Sequence, residues 1–352
     1  MIDVQAWMQK LRAGDRCRAA PSRGPSWVFL EETLALVGRY ARIEKLVLGR
    51  VDVAYSPASL SVDLTPGGDP DAQGEALAIA ERIRLALPEG PILDLQRLIE
   101  AQGIKIVSCA FPAAGYAGGF FFDSSSGPCI LLPAGVNVSE GLYALAHQYA
   151  HFMADIDPYI TTLCGFPGFA AHADPVEARA HAAALALLMP QADLQLYRDA
   201  LEAGHPGPVS AQLLEHLHVY FDLDAEVVLW RLLALQWIDA AGLKVLLAAH
   251  PDLADNLRTL PPSVAPGAVL LPDRFVRLVA SAFGSGRIDL DGAADYFGTD
   301  NDGAERILEQ FEYEEPSGPE PGATPSRRHA RTPRHAPASR RAAADPERQG
   351  PA

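Results

Sequence analysis

Apolar residues recur at helical spacing through residues 26–50, SWVFLEETLALVGRYARIEKLVLGR, and predict a helix there. Pro, Gly and Asp crowd positions 56–70, which predicts a loop or linker. Helices are expected around 71–87 and 91–102, the second following the turn PEGP and ending near Gly103. The pattern then shortens. IKIVSCA from Ile104, YAGGFFFD from Tyr116 and PCILLP from Pro128 are strand-length apolar runs, and DSSSGP between the last two is a hairpin signal. A small antiparallel sheet is the simplest arrangement of these three.

The next segment, VSEGLYALAHQYAHFMADI, returns to helical spacing, with Ser139 as its expected N-cap. Leu142, Leu145, Ala146, Tyr149, Phe152, Met153 and Ile156 form one apolar stripe. At roughly 100° per residue, His147 and His151 lie on the other side of that helix. A loop, DPYITTLCGFPGFAAHADP, leads to the helix VEARAHAAALALLMP, which Pro190 should stop. Further helices are expected near 208–221 and 224–240, then a proline-rich break over 260–272 and a smaller helical unit ending near Phe311. The tail after Tyr313, rich in Pro, Arg, Ala and Ser, is expected to be disordered. No internal repeat is visible.

Composition narrows the function classes. The chain has 352 residues, 49% of them hydrophobic, so it can bury a sizeable core. Its formal charge is -15, with +4 from Pro316 onward and therefore about -19 on the rest. A body this acidic repels phosphates, so direct nucleic-acid binding is not expected. The basic tail could touch DNA or RNA, but a solvated end is the simpler reading. A faint helix-turn-helix suggestion in GRIDLDGAADYFGTDNDGAERIL carries little basic charge and points to protein contact instead. Cys17, Cys109, Cys129 and Cys164 form no CxxC pair or metal knuckle. No signal-peptide core and no membrane-length apolar run is present, so a cytoplasmic protein with reduced thiols, away from membranes, is expected.

Two histidines one helical turn apart can grip one metal ion, because both nitrogens face the same way. A catalytic tetrahedral site needs a third protein ligand and leaves its fourth position to water. Glu177, 26 residues beyond His151 at the start of the next helix, is the best candidate. Each residue alone has a blander reading: exposed helix histidines, and a carboxylate at a helix N-terminus.

LAHQYAHFM followed by DPVEARAHAAALALLMP resembles the ImmA/IrrE family of bacterial metallopeptidases, whose helix carries HExxH and whose second helix carries E-x-x-A before a run ending LLMP. The run-in GPCILLPAGVNVSEGLYALAH is similar as well, so the resemblance covers roughly Leu77 to Pro190 and extends more weakly to Ala240. It implies an α+β, zincin-like metallopeptidase domain, a small antiparallel sheet with metal-site helices, followed by a helical C-terminal region. The expected organisation is an N-terminal helical segment and linker (1–70), the peptidase-like domain (71–195), a helical extension (196–258), a small helical unit (266–313) and the tail (314–352). By position the resemblance makes His147, His151 and Glu177 the ligands of one zinc ion. Glu177 stands three residues before Ala180 and thirteen before Pro190, as the family pattern implies. It also implies a regulatory role in stress, phage or mobile-element control, with a repressor protein as substrate or partner. Many relatives carry a helix-turn-helix before the peptidase, and the N-terminal segment shows no convincing one.

Two positions depart from the pattern. Gln148 stands where the general-base glutamate is expected, and His181 stands where an Asp or Asn usually orients a zinc histidine. His181 is read as surface or second-sphere, since ligation by it would close the open coordination position. Glutamine can hydrogen-bond a water but cannot accept its proton, and losing general-base catalysis removes roughly 10²–10⁴ in rate. Three explanations stand open: a natural pseudoenzyme, a deliberately inactivated variant, or another base, with His181, His172, Asp174 and Glu140 as nominal candidates. Two function classes follow: a zinc endopeptidase, or a non-catalytic module that holds a partner or senses a ligand in the same cleft. Cys164 is read as a buried thiol or a metal-site thiolate. Tyr116, Phe120, Phe121 and Phe122 are read as sheet packing, or as an edge that aligns a peptide.

Overall fold

A computed structural model describes residues 26–49, 62–109, 116–123, 126–134, 138–155, 161–165, 174–202, 209–249 and 270–314. Cys17, His172, Ile156 and the Pro/Arg-rich tail lie outside them. The protein is mixed α+β and mostly helical. Its helices are α1 (Ser26–Leu48), α2 (Pro70–Arg84), α3 (Leu95–Glu100), α4 (Val138–Ala154), α5 (Pro175–Leu188), α6 (Gln191–Glu202), α7 (Ala211–Phe221), α8 (Ala225–Ala234), α9 (Ala240–Ala249), α10 (Asp273–Gly284), α11 (Leu290–Phe297) and α12 (Asn301–Glu314). Its strands are β1 (Lys105–Cys109), β2 (Tyr116–Asp123), β3 (Gly127–Pro133) and β4 (Thr161–Gly165). Among the described residues no helix is long and apolar enough to cross a membrane.

The sheet is mixed rather than antiparallel, with order β1-β3-β2-β4. The chain reverses after β1 but leaves a strand's width before β2. The hairpin then returns β3 into that gap, antiparallel to β2 and therefore parallel to β1. Local hydrophobic pattern carries no information on that spatial order. β4 falls in a stretch expected to be loop, and it pairs antiparallel with β2. So β2 has a partner on each side, which corrects the idea of YAGGFFF as a free, peptide-aligning edge. A register shift between Tyr116 and Gly118 marks a bulge in β2.

The sheet is a middle layer, which explains why β1 and β3 read as nearly continuous apolar runs. Ile104, Ile106, Ile130 and Leu132 join the larger core, with α4, α5, α7 and α8. Val107, Cys109, Cys129 and Leu131 face the other way and join α1 with α10, α11 and α12. Cys109 and Cys129 are free and buried, and burial pushes the Cys129 thiol up to about 12.

Several helix boundaries have clear local causes. Asp69 and Asp174 cap α2 and α5 through the amides of Asp71 and Val176, each with proline at the first helical position. Pro190 does end α5, but its carbonyl also accepts from the Leu194 amide and opens α6, a helix the sequence reading did not expect. The helix expected over 224–240 ends early, and a second begins at Ala240. α8 closes at Ala234, Gln236 turns into the left-handed region, and Asp239 caps α9 through the Gly242 amide at 2.7 Å. α4 begins at Val138, so Ser139 stands inside its first turn rather than at its cap.

Candidate metal centre

Helix α4 is buried all round from Tyr143 to Met153, not only along its apolar stripe. Its far side is covered by α5, which brings Glu177 to the two histidines. His147 and His151 are 1% and 0% exposed, so they are not solvent-facing helix residues. His147 Nε2 lies 3.3 Å from His151 Nε2 and 3.2 Å from Glu177 Oε2. Glu177 Oε1 lies 3.6 Å from His151 Nε2.

These spacings fit a metal. Two ligand atoms each ~2.05 Å from one tetrahedral ion stand about 3.3 Å apart. All three ligand atoms lie within 4.8 Å of one another, so His147, His151 and Glu177 form a group that could hold a metal ion. The donor set, two imidazoles and one carboxylate, leaves a tetrahedral ion one open position. Burial would raise the Glu177 carboxyl. Hydrogen bonds and charge from His147 and His151 outweigh it and hold that carboxyl well below the usual range.

Residues behind the three ligands orient them. His151 Nδ1 lies 3.0 Å from Asp155 Oδ2, and the other oxygen of Asp155 accepts from Arg179. Arg179 also donates to Gln73 Oε1 at 3.3 Å, which ties the pair to α2. His147 Nδ1 faces the Tyr143 hydroxyl at 3.4 Å, and that hydroxyl lies 2.7 Å from His181 Nδ1. The Tyr143 hydroxyl thus links His181 to His147. Trp230 of α8 packs edge-on against Tyr143 and His181, with ring centroids 5.0 and 5.7 Å away.

Gln148 is fully buried, beside the ligands and against β2. A Cβ at Gly118 would sit 3.1 Å from Gln148 Cγ and 2.7 Å from the Leu131 carbonyl, and Gly118 has φ +141°. Glycine is needed there both for the close approach and for the backbone angle. Of the alternative bases, Asp174 is engaged as the α5 cap, while His172 and the Glu140 side chain lie outside the described residues. So do the side chains of Tyr116, Phe121 and Cys164; Phe120 is buried and Phe122 packs partly against the larger core.

The sequence reading missed Asp155, Arg179, Tyr143 and Trp230. Asp155 and Tyr143 had a usable signal, standing one helical turn after His151 and one turn before His147. Arg179 and Trp230 had none, because their places depend on how α5 and α8 pack. The chain matches no known family's sequence model and no curated protein.

Proposed function

We propose that the protein is a zinc-binding, cytoplasmic regulatory protein with an ImmA/IrrE-like, zincin-like metallopeptidase fold. Its substrate or binding partner would be a repressor-type protein. The convergence of His147, His151 and Glu177 from two helices carries this reading. A bound zinc ion would supply Lewis-acid polarisation of a peptide carbonyl and acidify a water. His147, His151 and Glu177 would hold it, and Asp155, fixed by Arg179, would set the His151 ring. Gln148 can orient that water through its amide but cannot take its proton. Hydrolysis by this chain should therefore run roughly 10²–10⁴ below that of a glutamate-bearing site.

A second reading, a non-catalytic module that grips its partner in the cleft, gains support from Gln148 itself. Its side chain is buried and packed against the β2 backbone at Gly118. The two readings separate in one experiment. Zinc-loaded protein and its Gln148→Glu variant are incubated with a panel of repressor-type proteins from the source cell, and both cleavage and binding are scored. The first reading expects slow cleavage that rises roughly 10²–10⁴-fold in Gln148→Glu. The second expects binding without cleavage in both. The absence of both binding and cleavage in both proteins would contradict the regulatory role.

A further inference from the structure

The two histidines of the metal group are backed by different chemistry. Behind His151 stands a carboxylate, Asp155, itself paired with Arg179. Behind His147 stands a neutral phenol, Tyr143, only 1% exposed, and behind that a third imidazole, His181. We propose that Tyr143, backed by His181, is the positioning residue that fixes the tautomer and ring angle of His147 toward the metal. This inference rests on the metal-binding reading above.

With a metal on His147 Nε2, the contacts among these three side chains run in one direction of donation. A histidine that binds metal through Nε2 carries its proton on Nδ1. His147 Nδ1–H then donates to the Tyr143 oxygen, and the Tyr143 O–H donates to His181 Nδ1. That sequence runs in a single direction and requires the His181 ring to present its lone pair on Nδ1. Its geometry is held from α8, where Trp230 packs against both rings. The neighbouring Arg231 anchors that helix, donating to the Met189 carbonyl at 2.9 Å and to both oxygens of Glu75. The resulting arrangement is asymmetric. The phenol is a neutral acceptor, so it draws less on the His147 N–H than a carboxylate would. That leaves His147 a weaker donor than His151.

The test is zinc affinity by chelator competition, with visible absorption of the cobalt(II)-substituted protein as a second readout. Tyr143→Phe should weaken zinc binding about 10–100-fold and shift the cobalt bands, with little change in the melting of metal-free protein. His181→Leu should weaken it in the same direction. The double variant should be no weaker than Tyr143→Phe alone, because His181 acts through the phenol. His181→Asn keeps an acceptor near the Nδ1 position and should stay within about threefold of the parent. If Tyr143→Phe fails to fold, the His181→Leu and His181→Asn pair decides the matter. Equal zinc affinity and unchanged cobalt bands in Tyr143→Phe would overturn the inference while leaving the metal site intact. Losses that multiply in the double variant would overturn the relay through Tyr143. A parent protein that takes up no metal would overturn both this inference and the reading beneath it.

Discussion

Two buried imidazoles and a carboxylate with ligand atoms within 4.8 Å of one another favour a positive charge among them. A metal ion supplies that charge, and so does a proton on one imidazole, which makes metal and proton competitors for the same atoms. Asp155 tips the balance: its Oδ2, 3.0 Å from His151 Nδ1, favours a proton on Nδ1 and so turns the Nε2 lone pair toward the metal position. Replacing Asp155 with Asn should weaken zinc binding about 10–100-fold in a competition titration; an unchanged affinity would remove Asp155 from the metal's support. At this scale the three ligands were legible because helix periodicity and the E-x-x-A spacing act locally. Tyr143 and Asp155 carried the same one-turn spacing but no distinctive motif. Trp230 was invisible, since it arrives 79 residues after His151, on a separate helix.

Helices α2 and α5 cross so closely that Gly74 has no room for a side chain. A Cβ there would lie 2.5 Å from the Arg179 carbonyl and 2.7 Å from Ala182 Cβ. Ala182 and Ala183, two of the small buried residues of α5, form the other side of this contact. Helix propensity alone says that Gly74→Ala should stabilise by about 1 kcal/mol. The packing says the reverse. Separating the helices should cost roughly 1–3 kcal/mol in denaturant unfolding, and zinc affinity should fall because Glu177 rides on α5. A stabilised Gly74→Ala protein would contradict the close crossing. The alanine run gave the helix its identity in the sequence, but not its partner. The sheet tells the same story: three strands were legible from run length, whereas β4 and the parallel β1–β3 pairing depend on neighbours far along the chain.

Across the whole molecule, α1 and the C-terminal helices are joined to the sheet by a buried charge cluster as well as by apolar packing. Lys105 of β1 and Arg274 of α10 each approach Glu44 of α1 at 2.7 Å, on its two separate oxygens. Glu44→Gln would leave two cations facing a neutral amide and should cost roughly 3–5 kcal/mol in denaturant unfolding. Lys105→Met leaves Glu44 paired with Arg274 and should cost less than Glu44→Gln. Equal losses in the two variants would contradict the shared role of Glu44. The sequence showed each of these helices but not that the two ends of the described chain share one core, since nothing local couples Tyr40 to Phe275. Purified protein, dialysed free of loose ions, should carry one equivalent of zinc by elemental analysis, and chelation should lower its melting temperature. His147→Ala and Glu177→Ala should each bring the metal content close to zero. Parent protein that holds no metal after zinc is supplied, with an unchanged melting curve, would contradict the account.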